Sequence, residues 1–235
     1  MTIIEKHDTN TQGRDFLVGD IHGQYDLLME AMARVAFDRS RDRLFSVGDL
    51  IDRGGASFDC LALPFEPWFF GVRGNHEMLA QDALFNESDA EGDWFKHELW
   101  MNNGGTWAQR ENLEDVKSLL KTAMRYLPYA REISVGGKRI GIVHAEPPKD
   151  WSLLELEDHP AGRERLVWGR SRIKEGDTTP VASIDAVVVG HTIVGTPTIL
   201  GNVHYIDTGA FMSGRLTLID AREVLDTVHQ VKREP

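Results

Sequence analysis

A mixed α/β (α+β) fold, built on one mixed sheet or on two packed mixed sheets with helices outside, is what the order of apolar segments in this 235-residue sequence predicts. Three observations lead there. Five apolar runs are too short for helices and rich in β-branched or aromatic residues, stretches of helical character separate the early ones, and two glycine-containing turns mark hairpins in the last third.

Phe16-Leu17-Val18 is the first strand. After it, Leu28, Met32 and Val35 recur at i, i+4 and i+7, the spacing with which a helix buries one face. Leu44-Phe45-Ser46-Val47 and Phe69-Phe70-Gly71-Val72 are the second and third strands, and residues 77–85 and 113–124 read as helices. Val135-Gly136-Gly137-Lys138 is a tight turn leading into the fourth strand, Ile140-Gly141-Ile142-Val143. Ala186-Val187-Val188-Val189 is the fifth. Gly201-Asn202 turns residues 196–200 into residues 203–206, and residues 215–219 alternate like a further strand. Residues 223–231 fit a strand or a helix. No repeat or low-complexity linker divides residues 1–235, which are read as one domain.

The composition is that of a folded globular chain, with 41% hydrophobic and 27% charged residues. A net charge of -11 repels phosphate backbones and anionic lipid, so neither nucleic acid nor membrane is an expected partner. No apolar run approaches the ~18 residues of a membrane span. The first residues lack the basic-then-apolar layout of a signal peptide, which makes the cytoplasm the default location. With Cys60 the only cysteine, no intrachain disulfide forms and any metal must sit on nitrogen and oxygen donors.

The residues immediately after each apolar run are more informative than the runs themselves. These sequels are Gly19-Asp20-Ile21-His22-Gly23, Gly48-Asp49-Leu50-Ile51-Asp52-Arg53-Gly54, Arg73-Gly74-Asn75-His76-Glu77, His144-Ala145 and Gly190-His191-Thr192. Sites on open α/β sheets collect at the carboxyl ends of strands, so five such clusters can converge on one point. Asp20, His22, Asp49, Asn75, His144 and His191 offer mixed nitrogen and oxygen donors, which suit manganese, iron or zinc better than calcium. They are too many for one tetrahedral ion and about right for two ions sharing a carboxylate. Two ions roughly 3.5–4 Å apart lower the pKa of a bridging water and clamp the attacking and leaving oxygens of a phosphate ester. Arg53, Arg73 and Arg170 supply forked positive charge for phosphoryl oxygens. His76, next to a proposed ligand, is placed to protonate a leaving alkoxide, and Asp52 to fix its tautomer.

Gly-Asp-x-His-Gly, Gly-Asp-x-x-Asp-Arg-Gly and Arg-Gly-Asn-His-Glu, in that order and followed by His144 and Gly190-His191, resemble the signature of the phosphoprotein phosphatase branch of the calcineurin-like metallophosphoesterases. The likeness is greatest to the phage lambda phosphatase and small bacterial serine/threonine protein phosphatases, and it runs over nearly the whole chain. The resemblance implies a β-sandwich of two mixed sheets flanked by helices. It implies a first ion on Asp20, His22 and Asp49, and a second on Asp49, Asn75, His144 and His191. It further implies that His76 and Asp52 form the general-acid pair, that Arg53, Arg73 and Arg170 contact phosphate, and that the two divalent ions are manganese, with iron or zinc as substitutes. The implied reaction is attack of a metal-bridging hydroxide on phosphoserine or phosphothreonine, and on phosphotyrosine as a further substrate, in phosphoproteins or phosphopeptides.

Taken singly, these Asp and Asn residues also fit turns and caps, and the histidines a satisfied core. Their joint order favours ligands; for Arg170 a structural role competes nearly equally. Asp207 reads as a hydrogen-bonding residue near the site, and Trp94, Trp100 and Trp107 as a core stripe. A dinucleoside tetraphosphate hydrolase is the rival function, weakened because Asp52-Arg53 and the arginine before Gly-Asn-His are both present. A non-catalytic phosphate-binding module is a distant third. Residues 86–105 and 147–158 are the expected substrate-facing loops.

Overall fold

The computed structural model describes residues 2–85 and 90–231. Residues 86–89, the start of one expected substrate-facing loop, lie outside them. The strands are β1 (Ile4–His7), β2 (Asp15–Val18), β3 (Arg43–Ser46), β4 (Phe69–Gly71), β5 (Ala130–Val135), β6 (Lys138–Val143), β7 (Ala186–Val189), β8 (Thr198–Leu200), β9 (Val203–Tyr205) and β10 (Leu218–Asp220). The helices are α1 (Tyr25–Arg34), α2 (Ser57–Ala62), α3 (Asn75–Phe85), α4 (Ala90–Asn102), α5 (Leu113–Ala123), α6 (Pro160–Trp168), α7 (Ser171–Glu175), α8 (Ala210–Ser213) and α9 (Ala221–Val231).

Two mixed sheets result, one of six strands in the order β1-β5-β6-β7-β9-β8 and one of four in the order β10-β2-β3-β4. The period-two alternation of strand side chains explains how they pack. On β2 and β3, Leu17 and Phe45 face the other sheet, and Ile140, Ile142, Ala186 and Val188 of β6 and β7 meet them there. The alternate residues Phe16, Val18 and Leu44 face a layer that includes Leu28, Leu61, Leu79 and Leu120 of the helices. Behind the larger sheet, Val143, Val187 and Val189 pack on Trp151 and Leu166. Burial on both faces is why these strands read as continuous apolar runs.

One expected element differs and one open alternative is settled. The last strand is displaced to Leu218–Asp220, and before it the Thr208 hydroxyl bonds the Arg215 carbonyl and the Thr217 hydroxyl, each at 2.9 Å. Of the strand and helix that the sequence allows for residues 223–231, the fold takes the helix, since Ala221, Val224 and Leu225 enter the inter-sheet core at i, i+3 and i+4. Among the described residues no helix is long and apolar enough to cross a membrane.

Strands β2, β3 and β4 are mutually parallel, as are β6 and β7. Parallel strands end on the same edge, so three of the polar sequels leave the smaller sheet together and two leave the larger, and the bond from His144 Nδ1 to the Val47 carbonyl joins the two sets.

His204 in β9 is buried, and its Nε2 lacks a partner among the described residues. Burial lowers its pKa from 6.5 to about 4. Between those values the unfolded chain takes up a proton that the folded chain refuses, so stability falls as pH drops from 6.5 toward 4 and is fully present above. His204→Leu is expected to flatten that decline in urea titrations run across the interval. An unchanged slope would remove His204 from the account.

Candidate metal centre

Beyond β3 the chain turns through Val47 and Gly48 to Asp49, whose φ of +49° lies in the left-handed region. The turn drives the Asp49 carboxylate into the space between the two groups of loops. Its Oδ1 accepts the His76 backbone N–H at 3.0 Å. Its Oδ2 lies 3.4 Å from His144 Nε2, 3.6 Å from His22 Nε2 and 3.9 Å from His76 Nε2. A Cβ on residue 74 would stand 2.0 Å from Asp49 Oδ1, so only glycine lets the loop after β4 approach this closely. Among the described residues, seven non-glycine positions have positive φ, and five of them are His22, Asp49, Asp52, Arg53 and His191. Such conformations cost about 1–3 kcal/mol each and persist where function requires them.

Two donor groups result, His22 with Asp49 and His76, and Asp49 with His144 and His191. Within each, one ligand atom per residue lies within 4.8 Å of the others, and Asp49 belongs to both. The histidines are oriented from behind. His22 Nδ1 donates to the Ile51 carbonyl at 2.9 Å and His144 Nδ1 to the Val47 carbonyl at 2.8 Å, which leaves each Nε2 facing inward. His144 Nε2 also lies 2.8 Å from Asn75 Oδ1. Asp20 belongs to neither group but stands beside them, accepting the His191 backbone N–H at 3.0 Å on Oδ2.

The charges of this centre call for a cation. Burial, then Asp207 and Asp49, push the Asp20 carboxyl well above its ordinary range. Burial acts the same way on Asp49, but His144, His76 and His22 outweigh it and hold Asp49 well below. Burial lowers His22 and His191 to about 3, so both imidazoles are neutral and present lone pairs. For His144 burial works against the charge, yet the Asp49 carboxylate outweighs it and raises its affinity for a proton. His191 Nε2 is buried with no hydrogen-bond partner among the described residues. An orphaned imidazole nitrogen, a carboxylate facing several others and a further acid crowded by like charge fit divalent metal. Calcium is disfavoured by the imidazoles.

His76 Nδ1 lies 2.7 Å from Asp52 Oδ2, and both residues are buried. Arg53 is exposed; its Nη1 donates to His22 Nε2 at 2.7 Å and its guanidinium lies 4.6 Å over the Phe211 ring. Arg73 is buried, donating from Nε to the Leu127 carbonyl at 2.7 Å and from Nη2 to the Met124 carbonyl at 3.0 Å, with Tyr129 beneath it. Arg170 is exposed at the start of α7, and its charge acts on the His191 imidazole.

Sequence reasoning gave no role to Glu77, although it closes the third motif. The buried Glu77 carboxylate accepts the backbone N–H of Leu50 and Gly74 at 2.8 Å each, of Asp49 at 3.1 Å and of Ile51 at 3.4 Å. It thereby ties the loop after β3 to the loop after β4. Asp207 accepts the Gly209 N–H at 2.8 Å and presses its charge on Asp20. Trp100 and Trp107 are buried as expected of a core stripe, whereas Trp94 is exposed. The indole N–H groups of the two buried residues both reach Asp52.

Aspartate, asparagine and histidine on strand-end loops, gathered round one shared carboxylate, define a metal-dependent hydrolase. The sequence matches the calcineurin-like phosphoesterases over residues 16–195, and the chain belongs to that family. It is therefore an enzyme of the phosphoric ester hydrolase class, in a family that works with divalent metals. It is 36% identical to serine/threonine-protein phosphatase 1 of Salmonella typhimurium over 208 residues, 86% of this chain and 89% of that relative. It is 26% identical to the symmetrical bis(5'-nucleosyl)-tetraphosphatase of Haemophilus influenzae, across 87% of this chain and 92% of the relative. The crystal structure of a candidate diadenosine tetraphosphatase superposes with a TM-score of 0.61 over 93% of this chain and 94% of that one. At 21% identity that likeness bears on the fold alone.

Glu77→Gln replaces one acceptor oxygen by a donor among four backbone donors. The expected loss is about 1–3 kcal/mol for each amide left unpaired, read from urea unfolding of the metal-free protein. Wild-type stability in this variant would mean that the two loops hold together without the carboxylate.

Proposed function

We propose that this chain is a phosphomonoesterase that removes phosphate from phosphoserine and phosphothreonine in proteins, and from phosphotyrosine as a further substrate. The observation that carries the reading is Asp49, whose Oδ2 stands 3.6 Å from His22 Nε2 on one side and 3.4 Å from His144 Nε2 on the other. A carboxylate so placed suits two ions that share it. Asp20, His22 and Asp49 would hold one, and Asn75, His144 and His191 with Asp49 the other. Manganese is the ion proposed, with iron or zinc accepted by the same donors.

When bound, the ions supply a water of lowered pKa and neutralise charge on the phosphoryl group. The chain's own residues do the rest. With one proton held on Nδ1 against Asp52, His76 would give a second proton from Nε2 to the departing alkoxide oxygen. Arg53, exposed above His22, forks onto phosphoryl oxygens once it leaves His22 Nε2. Arg170 adds charge on the His191 side, and Arg73 contributes if its bonds to the backbone carbonyls are released. Asp20, His22, Asp49, Asn75, His144 and His191 are buried, which strengthens the electrostatic interactions among them.

Phosphopeptides are preferred to nucleotides because the relative named as a serine/threonine phosphatase is the more identical over a similar share of the chain. The deciding assay strips the protein of metal, reloads it with manganese and offers phosphoserine and phosphotyrosine peptides beside diadenosine tetraphosphate. Release of phosphate from peptides, lost on chelation and with little nucleotide cleavage, is the expected result. Faster cleavage of the nucleotide would replace this reading by the tetraphosphatase one.

His76→Asn is expected to keep both ions and to lower turnover of a phosphoserine peptide by roughly 10²–10⁴-fold, the contribution of a general acid. Unchanged turnover with full metal content would deny His76 that part.

A further inference from the structure

The acid pair is itself held by a third group of residues. Trp107 Nε1 donates to Asp52 Oδ1 at 2.7 Å, and Trp100 Nε1 donates to the same oxygen at 3.0 Å and to Oδ2 at 3.2 Å. His76 Nδ1 meets Oδ2 at 2.7 Å, so the carboxylate has three N–H donors around it. All four residues are buried. The two indoles meet edge to face, with centroids 6.3 Å apart and planes at 83°. Apolar fillers in place of both indoles would leave Asp52 Oδ1 without either of these donors. Burying an oxygen of that kind unpaired is costly.

The segment between the tryptophans is shaped for this contact. A Cβ on Gly105 would stand 2.7 Å from Trp100 Nε1, so a side chain there would displace the indole. The Gly104 carbonyl accepts the Arg53 backbone N–H at 3.0 Å. One short stretch, from Trp100 to Trp107, therefore holds both Asp52 and Arg53, at φ of +71° and +68°. An indole N–H only donates, so it fixes Asp52 as an acceptor and pins the carboxylate plane. With Oδ1 taken, Oδ2 is the oxygen left for His76, and Nδ1 is the nitrogen His76 commits to it.

We propose that Trp100 and Trp107 are positioning residues for the leaving-group proton: their indole N–H groups clamp Asp52 so that His76 presents Nε2 to the departing oxygen. The proposal rests on the reading of His76 as the general acid. The clamp acts on one step of the reaction, protonation of the leaving oxygen, and leaves ground-state binding of the phosphoryl group to other residues.

The test compares two esters that differ in their need for that proton, phenyl phosphate and 4-nitrophenyl phosphate, on manganese-loaded wild type, Trp107→Phe, His76→Asn and the double variant. Trp107→Phe is expected to lower kcat on phenyl phosphate roughly 10- to 100-fold, the factor carried by one hydrogen bond to a charged group. Its KM should stay near wild type, 4-nitrophenyl phosphate should lose far less, and in the His76→Asn background the change should add nothing further. Equal losses on both esters, or losses that multiply in the double variant, would overturn the clamp while leaving His76 as the acid. A His76→Asn protein with a full rate on phenyl phosphate would overturn it together with the reading beneath it. Should Trp107→Phe not fold, Trp100→Phe carries the same comparison. In the wild-type protein, 15N shifts that show His76 Nδ1 without a proton would also overturn it.

Discussion

Asp49 is the constraint on which the rest of the structure depends. A buried carboxylate facing several imidazoles is tolerable only if its charge is matched, and the surrounding chain is arranged to match it. His22 and His144 spend their Nδ1 protons on backbone carbonyls and turn Nε2 toward Asp49. The loop bearing Asn75 and His76 comes close enough to hydrogen-bond Oδ1 because residue 74 has no side chain. The two sheets bring the parallel strand ends together on one edge, but the local turns, several of them at positive φ, aim the side chains. Scaffold and strain thus act at different levels, the first setting which loops meet and the second where their donors point.

Layers of support can be followed outward from that centre. Glu77 gathers four amides from two loops and makes them one unit, so Asp49 and Asn75 keep a fixed separation. Trp100 and Trp107 perform a similar service for Asp52 from the helical side. In both cases a buried polar atom is satisfied by groups that also pack the core, so orientation of the site and burial of apolar surface reinforce each other.

Much of this was legible in the sequence because it was local. Phe16-Leu17-Val18 and Ala186-Val187-Val188-Val189 announce strands by composition, and the candidate ligand motifs come within a few residues of them. The Gly136-Gly137 turn gives its hairpin away, with Val135 opposite Lys138. What escaped was long-range or depended on context. Strand β1 is a short edge with polar alternate residues, and among the described residues it pairs with β5 alone, far along the chain. Residues 223–231 were ambiguous until the inter-sheet core showed which of their residues it accepts. Glu77 reaches Ile51 across 26 positions and Trp107 reaches Asp52 across 55, and no periodicity encodes such a pairing. For Arg73 the motif context pointed to phosphate, while the fold encloses the side chain between backbone carbonyls and Tyr129.

The bond from Arg53 to His22 Nε2 has a consequence for the order of events at this centre. A nitrogen has one lone pair, so a guanidinium donating to it and a cation bound to it exclude one another. Whatever takes that nitrogen sets the guanidinium loose beside the Phe211 ring, facing solvent and able to meet an anion. By thermodynamic reciprocity, an anion that captures the freed guanidinium favours occupancy of the nitrogen to the same degree. A cation taking His22 Nε2 and an anion taking the Arg53 guanidinium would therefore favour one another, because each draws apart the same pair of side chains.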